Sequence, residues 1–380
     1  MMKIRLWIIF ISALLLLGRG SPYLFSQAVE ERSRERLRLV HADNFVGSVV
    51  DGKRVQEFLG RVRLVQGEAK IYCNRARWWE KDDKALLSGR VMIYDGKRTL
   101  RADSVRYDGK SKVETAWGSV SLVTGSRKLT ADRIKYEQEQ EVAFAEGNVV
   151  LSHFKEKITL EGERVVYDRG LDYGIAEGQP QLVKVDSSSG EKMVVDGLKI
   201  ESWGGEQRVL VSDSVRLEKD DWKAVCQSAE YHSEKDLLFL EKRPIVWYRD
   251  QEMRGDTIDI RLKEVQFREG IIRGNAQIVS RDSTFEDVLK GQQITIEVYY
   301  TSEDTIQTVI VEGQASSLYH IFNEEEREQG VNSVTGDRIV LTFIGDHLER
   351  VKVESDPGQS TGIFTPKEKE VHVGAEEKKL

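Results

Sequence analysis

Proline and cysteine are both scarce in this chain: 5 Pro and 2 Cys in 380 residues. Few prolines leave room for many unbroken strands, because a proline cannot donate to a ladder and is confined to edges and bulges. Two cysteines rule out a disulfide-stapled scaffold. Beyond residue 17 no apolar run is long enough to cross a bilayer as a helix. The six histidines, His41, His153, His232, His320, His347 and His372, share no metal-binding spacing. No H-E-x-x-H, phosphate loop or G-x-S-x-G occurs, so the expectation is no enzyme, no cofactor and no metal site. The net charge is −7 and no basic patch stands out, which argues against a nucleic-acid partner. What the chain does have is 39% hydrophobic and 32% charged residues in close alternation, a composition that folds.

The alternation repeats. One copy opens at Gly89-Arg90-Val91-Met92-Ile93 and reaches Leu100-Arg101-Ala102-Asp103 and then Val105 and Tyr107. The next opens at Gly118-Ser119-Val120-Ser121-Leu122 and reaches Leu129-Thr130-Ala131-Asp132, Ile134 and Tyr136. A third opens at Gly147 and reaches Leu160, Glu163, Val165 and Tyr167. The opening glycines lie 29, 29 and then 31 residues apart, up to Gly178. A fixed period of this length marks a repeat architecture. Within each copy, apolar residues at every second position read as a strand with one buried face. In the second strand the apolar parity switches after Ala102, Ala131 and Gly162, which predicts a bulge or corner in that strand. Asp51-Gly52, Asp95-Gly96 and Asp108-Gly109 supply hairpin turns. Gly60-Arg61-Val62-Arg63-Leu64 precedes the series, and weaker copies continue through Ser214-Val215-Arg216-Leu217, Gly274 and Gly313. There the spacing loosens to 32 and 39, read as longer loops. About nine stacked repeats of roughly 29–40 residues follow, in an all-β, elongated, antiparallel domain over 39–355.

The ends read differently. Met1 to Ala28 has a basic start at Lys3 and Arg5, an apolar run from Leu6 to Leu17 and Ser26-Gln27-Ala28, the pattern of a cleaved signal peptide, residues 1–28. Cleavage would shift the net charge from −7 to −10. An uncleaved anchor is the alternative. Residues 29–38 are a charged lead-in, and 356–380 are polar and read as a disordered tail. Cys73 and Cys226 would lie about 45 Å apart at ~4.8 Å per strand, so they are expected as separate buried thiols. The recurring acids Asp103, Asp132, Glu163, Glu230, Asp256 and Asp337 admit a calcium or carboxylate-ladder reading. Capping of corners through backbone N–H groups fits them better. Trp78-Trp79 and Trp247-Tyr248 fit sheet packing better than sugar or lipid contact.

The Gly-x-Val-x-Leu openings, the Ala-Asp-x-x-x-Tyr strands and the run His41-Ala42-Asp43, Asp51-Gly52-Lys53, Leu59-Gly60-Arg61-Val62 resemble the OstA/LptA family of periplasmic lipopolysaccharide-transport proteins over residues 39 to 355. The resemblance implies an open, antiparallel β-jelly roll (β-taco) that holds lipid acyl chains in an apolar groove. It also implies export to the periplasm and two partner classes: lipopolysaccharide or a related lipid, and other subunits of the same fold joined edge to edge. The groove lining would then be Val62, Leu64, Val91, Ile93, Val120, Leu122, Val149, Leu151, Val215 and Leu217, which stacking places on one inner face. Head-group contacts at an exposed surface are worth roughly 0–1 kcal/mol each, so binding is expected to be driven by the chains. An inner-membrane-anchored LptC-like subunit, a structural β-solenoid with a dry core and a polysaccharide-acting β-helix are the competing readings. An open inner face favours transport; a closed one favours a scaffold.

Overall fold

The computed structural model describes residues 37–367 except 51, 67, 95, 97, 138, 156, 186–189, 191, 220–221, 233, 236, 249, 264–265, 282–284, 301–304, 323–326 and 345–346. The expected signal segment 1–28 and most of the lead-in lie outside the described residues. Apart from turns and one 3-10 turn at Glu80–Asp82, the described chain is strand. It forms two compact units, dividing between Leu240 and Glu241. The sequence reading draws a single domain there. The division falls beside Lys242-Arg243-Pro244, where two non-glycine residues have positive φ, 63° and 61°, and Pro244 offers no N–H.

The first unit runs through β1 (Arg38–His41), β2 (Asn44–Val50), β3 (Lys53–Gln66), β4 (Ala69–Trp79), β5 (Lys84–Tyr94), β6 (Arg98–Asp108), β7 (Val113–Thr124) and β8 (Arg127–Glu137). It continues with β9 (Val142–His153), β10 (Ile158–Asp168), β11 (Tyr173–Glu177), β12 (Gln181–Val185), β13 (Lys192–Asp196), β14 (Lys199–Trp203), β15 (Arg208–Lys219) and β16 (Trp222–His232). β17 (Leu237–Glu241) ends at the division. Consecutive long strands pair antiparallel along their whole length, so each hairpin adds two rungs to a stack.

Every long rung bends at one place. β5 and β6 pair Leu87 with Val105 and Ser88 with Ser104 on one side, then Val91 with Ala102 on the other. Gly89 and Arg90 therefore stand opposite Asp103 alone. The same two-against-one mismatch recurs between β7 and β8, and between β9 and β10. The extra residue thus sits in the opening strand's Gly-x pair, while the second strand turns the corner where the parity switch pointed, with Ala102 and Val105 both buried. The backbone explains the placement. Gly118 has φ +78° and Ser119 +46°, Gly147 +75° and Asn148 +47°. Two successive left-handed residues make a bulge that turns the strand, and glycine adopts the first at least cost.

The corner splits each rung into two arms, one bearing Val and Leu after the glycine and one bearing Val and Tyr after the acid. Phe58, Leu87, Val105 and Ala116 of the tyrosine arm share one core with Val62, Leu64, Val91 and Val120 of the leucine arm. The inner faces of the two arms therefore pack on each other. Each Val or Leu fully buried this way contributes about 1.5–3 kcal/mol. At Gly178-Gln179-Pro180 and Gly197-Leu198 the corner interrupts the strand, so β11 with β12, and β13 with β14, each make one broken rung.

The second unit contains β18 (Ile245–Tyr248), β19 (Gln251–Arg254), β20 (Thr257–Lys263), β21 (Gln266–Arg281), β22 (Glu286–Tyr300), β23 (Thr305–Phe322), β24 (Glu328–Ile344), β25 (His347–Glu354) and β26 (Thr361–Pro366). Here the strands reach 15 to 18 residues. The loosened repeat spacing therefore lengthens strands, not loops as the sequence reading had it. Ile272, Ile294, Val311 and Ile339 pair in succession and are 0–1% exposed. The supposed tail is also ordered in part: β26 pairs with Gly330–Thr335 of β24, and Lys367 anchors its end on Glu328 at 2.7 Å. Thr361-Gly362-Ile363-Phe364-Thr365 is a short β-forming run that polar neighbours conceal. The remainder, from residue 368, lies outside the described residues.

Candidate functional site

The ten expected lining residues fall into two groups. Val62, Val91, Val120, Val149 and Val215, next to the corner, are 1–2% exposed and closed off. Two residues further from the corner, Leu64 and Leu217 are buried as well, but Ile93, Leu122 and Leu151 are only half-buried. These outer members belong to a longer row that register makes continuous: Leu64, Ile71, Ile93, Leu100, Leu122, Leu129, Leu151, Leu160, Leu182, Val195 and Leu217 are successive cross-strand neighbours. Both ends of the row are buried; from Ile93 to Leu151 it is half-buried throughout. The inner face is thus buried along the corner and at both ends of the row, and half-buried over β5 to β9. Val62, Leu64, Val91 and Val120 belong to one core, against which Ile93 packs; Val149 belongs to a second core with Ala131 and Ala145. The sequence reading missed the second-strand members Ile71, Leu100, Leu129 and Leu160. The signal was the Leu100/Ala102 parity, read there only as a strand pattern.

One step nearer the turns, the leucine arm carries a different row. Arg98, Thr124, Arg127 and His153 are successive neighbours in register and share the inward parity of the leucines. Facing them on the tyrosine arm are Tyr107, Tyr136 and Tyr167, whose phenols burial pushes above the ordinary range. The Tyr167 hydroxyl donates to Asp172 Oδ1 at 3.1 Å. Tyr136 lies in the field of Arg98, and Tyr167 in that of Arg127, in each case two strands further along the stack. Burial holds the Arg127 guanidinium below the usual arginine range. The sequence reading named the three tyrosines and His153 without placing them together, and it missed Arg98, Thr124 and Arg127.

The recurring acids serve the corner. A Cβ on Gly118 would meet Asp103 Oδ2 at 2.3 Å, and one on Gly147 would meet Asp132 Oδ2 at 2.4 Å, so each acid packs flat on the neighbouring glycine. Asn148 Nδ2 donates to Asp132 at 2.8 Å, and Asp43, beside the earlier corner at Gly60, accepts from Arg61 Nη2 at 2.7 Å. Asp337 does follow the expected form, accepting the Asp356 N–H at 3.3 Å. Glu230 is not a corner residue. It binds His232 and Arg208, and Gln227 stands opposite the bulge of that rung. Trp247 Nε1 donates to Glu252 at 3.0 Å, tying that ring to its own hairpin. Cys73 and Cys226 are buried free thiols. Among the described residues no group of His, Cys, Asp and Glu is placed to hold a metal ion, and no helix is long and apolar enough to cross a membrane.

In the first unit the geometry is a bent stack of antiparallel rungs with an apolar inner face. A family model described as "LptA/(LptD N-terminal domain) LPS transport protein" matches residues 39–173 and 110–266, more than half of the chain. The chain belongs to that family. Among solved structures it is similar to LptH, the LptA homologous periplasmic component of the lipopolysaccharide transport device from Pseudomonas aeruginosa. Identity there is 17%, over 36% of this chain and 76% of that one, with a TM-score of 0.20, too low to equate the two folds. No curated protein matches the chain.

Proposed function

We propose that this chain carries lipopolysaccharide or a related lipid through the periplasm, with the acyl chains lying against the half-buried row Ile93, Leu100, Leu122, Leu129 and Leu151. The observation that carries this reading is the change of exposure along one continuous apolar row, buried at both ends and half-buried in the middle. A sheet that only needed a core would close there too. Each methylene moved from water onto that face contributes about 0.8 kcal/mol, so several chains outweigh the cost of ordering them. The corner valines serve as the floor under the row. Nothing in this reading calls for catalysis.

The two ends of the chain supply the contacts with other subunits of the same fold. β1 and β2 are exposed along their whole length, with Phe45 60% and Val49 67% exposed; β26 is exposed likewise, with Ile363 61% and Phe364 50%. Bare apolar edges invite further strands, and a head-to-tail contact of this kind does not close on itself. For the second unit a scaffold role has support of its own, in the fully packed ladder Ile272, Ile294, Val311 and Ile339. Native mass spectrometry of the protein purified from its own periplasm tests the carrier reading. A bound species with the mass of a lipid A-type glycolipid is expected, and a preparation free of any lipid would overturn it.

A further inference from the structure

We propose that Arg127 reads the anionic head group of the carried lipid, binding a phosphate at the mouth of the groove directly above the half-buried leucines. The inference rests on the carrier reading above and adds the chemistry of the end that does not enter the groove.

Three observations converge on this residue. The first is position: Arg127 lies two residues from Leu129 on β8, on the same inward parity, between Thr124 and His153 in register. A lipid with chains on Leu122, Leu129 and Leu151 places its polar end at this row. The second is partnership. Among the described residues no carboxylate pairs with Arg127, and the one ionisable group whose field reaches it is the Tyr167 phenol on the opposite arm. Arg98, by contrast, already has a partner. Its carboxylate-free, half-buried setting distinguishes Arg127 from the arginines of the outer faces, many of which are ion-paired, such as Arg75 with Glu57 and Arg338 with Glu354.

The third observation is internal comparison. The same place on the second strand of each repeat is occupied by Ala69, Arg98, Arg127, Ile158, Met193 and Trp222, while the opening strands between them carry Gln66, Thr124, His153, Lys184 and Lys219. The fold accepts an apolar residue there on four of these six second strands, and β6 and β8 have arginine. Those two strands lie where the leucine row is half-buried. A guanidinium presents a planar fork of donors suited to phosphate, and removal from water strengthens whatever it binds. Arg127 is half-buried, a setting in which a head-group contact would be less screened than at the exposed surface that the sequence reading assumed.

The test uses the full chain and two probes: a hexa-acylated glucosamine disaccharide with two phosphates, and the same disaccharide without them. Wild type is expected to bind the phosphorylated probe about tenfold or more tightly, as a charge-assisted hydrogen-bonded contact implies. Arg127→Ile, which installs the residue found at the matching place in β10, should lose that preference. Its affinity for the dephosphorylated probe should stay unchanged. Arg127→Lys should keep part of the preference. Equal loss for both probes would mean a structural role, and a preference that survives Arg127→Ile would remove Arg127 from recognition; either overturns the proposal while the carrier reading stands. Inorganic phosphate alone should not bind. Binding of it with the same Arg127 dependence would make this a free-phosphate site and overturn the proposal. Wild type that binds neither probe overturns the carrier reading as well.

Discussion

Gly118→Ala should break the corner with one methyl group. Two costs add at this position. Gly118 has φ +78°, a left-handed conformation that disfavours an L residue by about 1–2 kcal/mol. The new Cβ would also stand 2.3 Å from Asp103 Oδ2 and 2.6 Å from Asp103 Cβ, so the acid strand must shift. Overpacking of that kind costs about 1–3 kcal/mol. The sum is about 2–5 kcal/mol. Gly125, in the next turn, separates the two contributions: its φ is also positive, +54°, but nothing lies within 4 Å of a Cβ built there. Gly125→Ala should therefore cost only about 1–2 kcal/mol. Asp103→Gly removes the clashing atoms, so in that background Gly118→Ala should fall to the Gly125→Ala level, a coupling of about 1–3 kcal/mol. Rungs in a stack contact their neighbours and open locally. Amide hydrogen exchange along β7 and β8 is thus the appropriate assay, with urea unfolding alongside. Equal costs at Gly118 and Gly125, or a strictly additive cycle with Asp103→Gly, would refute the reasoning.

Acid should loosen the first rungs through Glu57, to which Arg75 and Arg77 both donate, holding its carboxyl below the ordinary glutamate range. A depressed folded pKa stabilises above the unfolded value, about 4.3, and that stability is lost as pH falls below it toward the folded pKa. Glu57→Gln should flatten the acid limb of the stability profile, and an unchanged limb would remove this pair from the account. Burial pushes the Cys73 thiol up to about 11. Native protein should resist iodoacetamide at this residue until urea unfolds it, whereas rapid native alkylation would contradict its placement in the core. At the far end, Ile363→Lys on the exposed β26 should weaken self-association in sedimentation velocity without lowering the thermal midpoint, because a charge on an edge strand blocks further pairing. Association unaffected by it would exclude this edge.

The strand repeat was legible because its period is written in glycines. Gly89, Gly118 and Gly147 are demanded by backbone angle and by the side chain lying against each, Asn74, Asp103 and Asp132, so the spacing shows in the letters themselves. The burial of Val62, Val91, Val120 and Val149 followed from alternation alone. What alternation cannot encode is how far two arms stand apart. Val120 and Leu122 look equivalent on the strand, yet one is sealed in the corner and the other is half-buried, while Leu64 and Leu217 at the matching place are buried, so exposure depends on position along the stack, which the pattern does not measure. The corner in the second strand was legible, since Ala102 and Val105 are buried on opposite parities, but the extra residue of the bulge was not, because a parity switch does not report which of two strands carries it. Arg127 was missed because a charged residue next to a turn reads as solvent-facing until register places it beside Thr124 and His153. β26 was missed because six residues of strand are too few to stand out against Gly358 on one side and a run of charge on the other.

A photo-crosslinker on alternate residues of one strand tests the central claim most directly. Val120 and Val149 are too enclosed to report on a bound lipid, so the informative positions are Leu122 and Leu151, with the outward Ser121 as the control on the same strand. Irradiated in cells, the probe at Leu122 or Leu151 should capture lipid, while the one at Ser121 should not. Equal capture at both parities, or none at either, would show that the leucine row is packed core and that the inner face of this protein carries nothing.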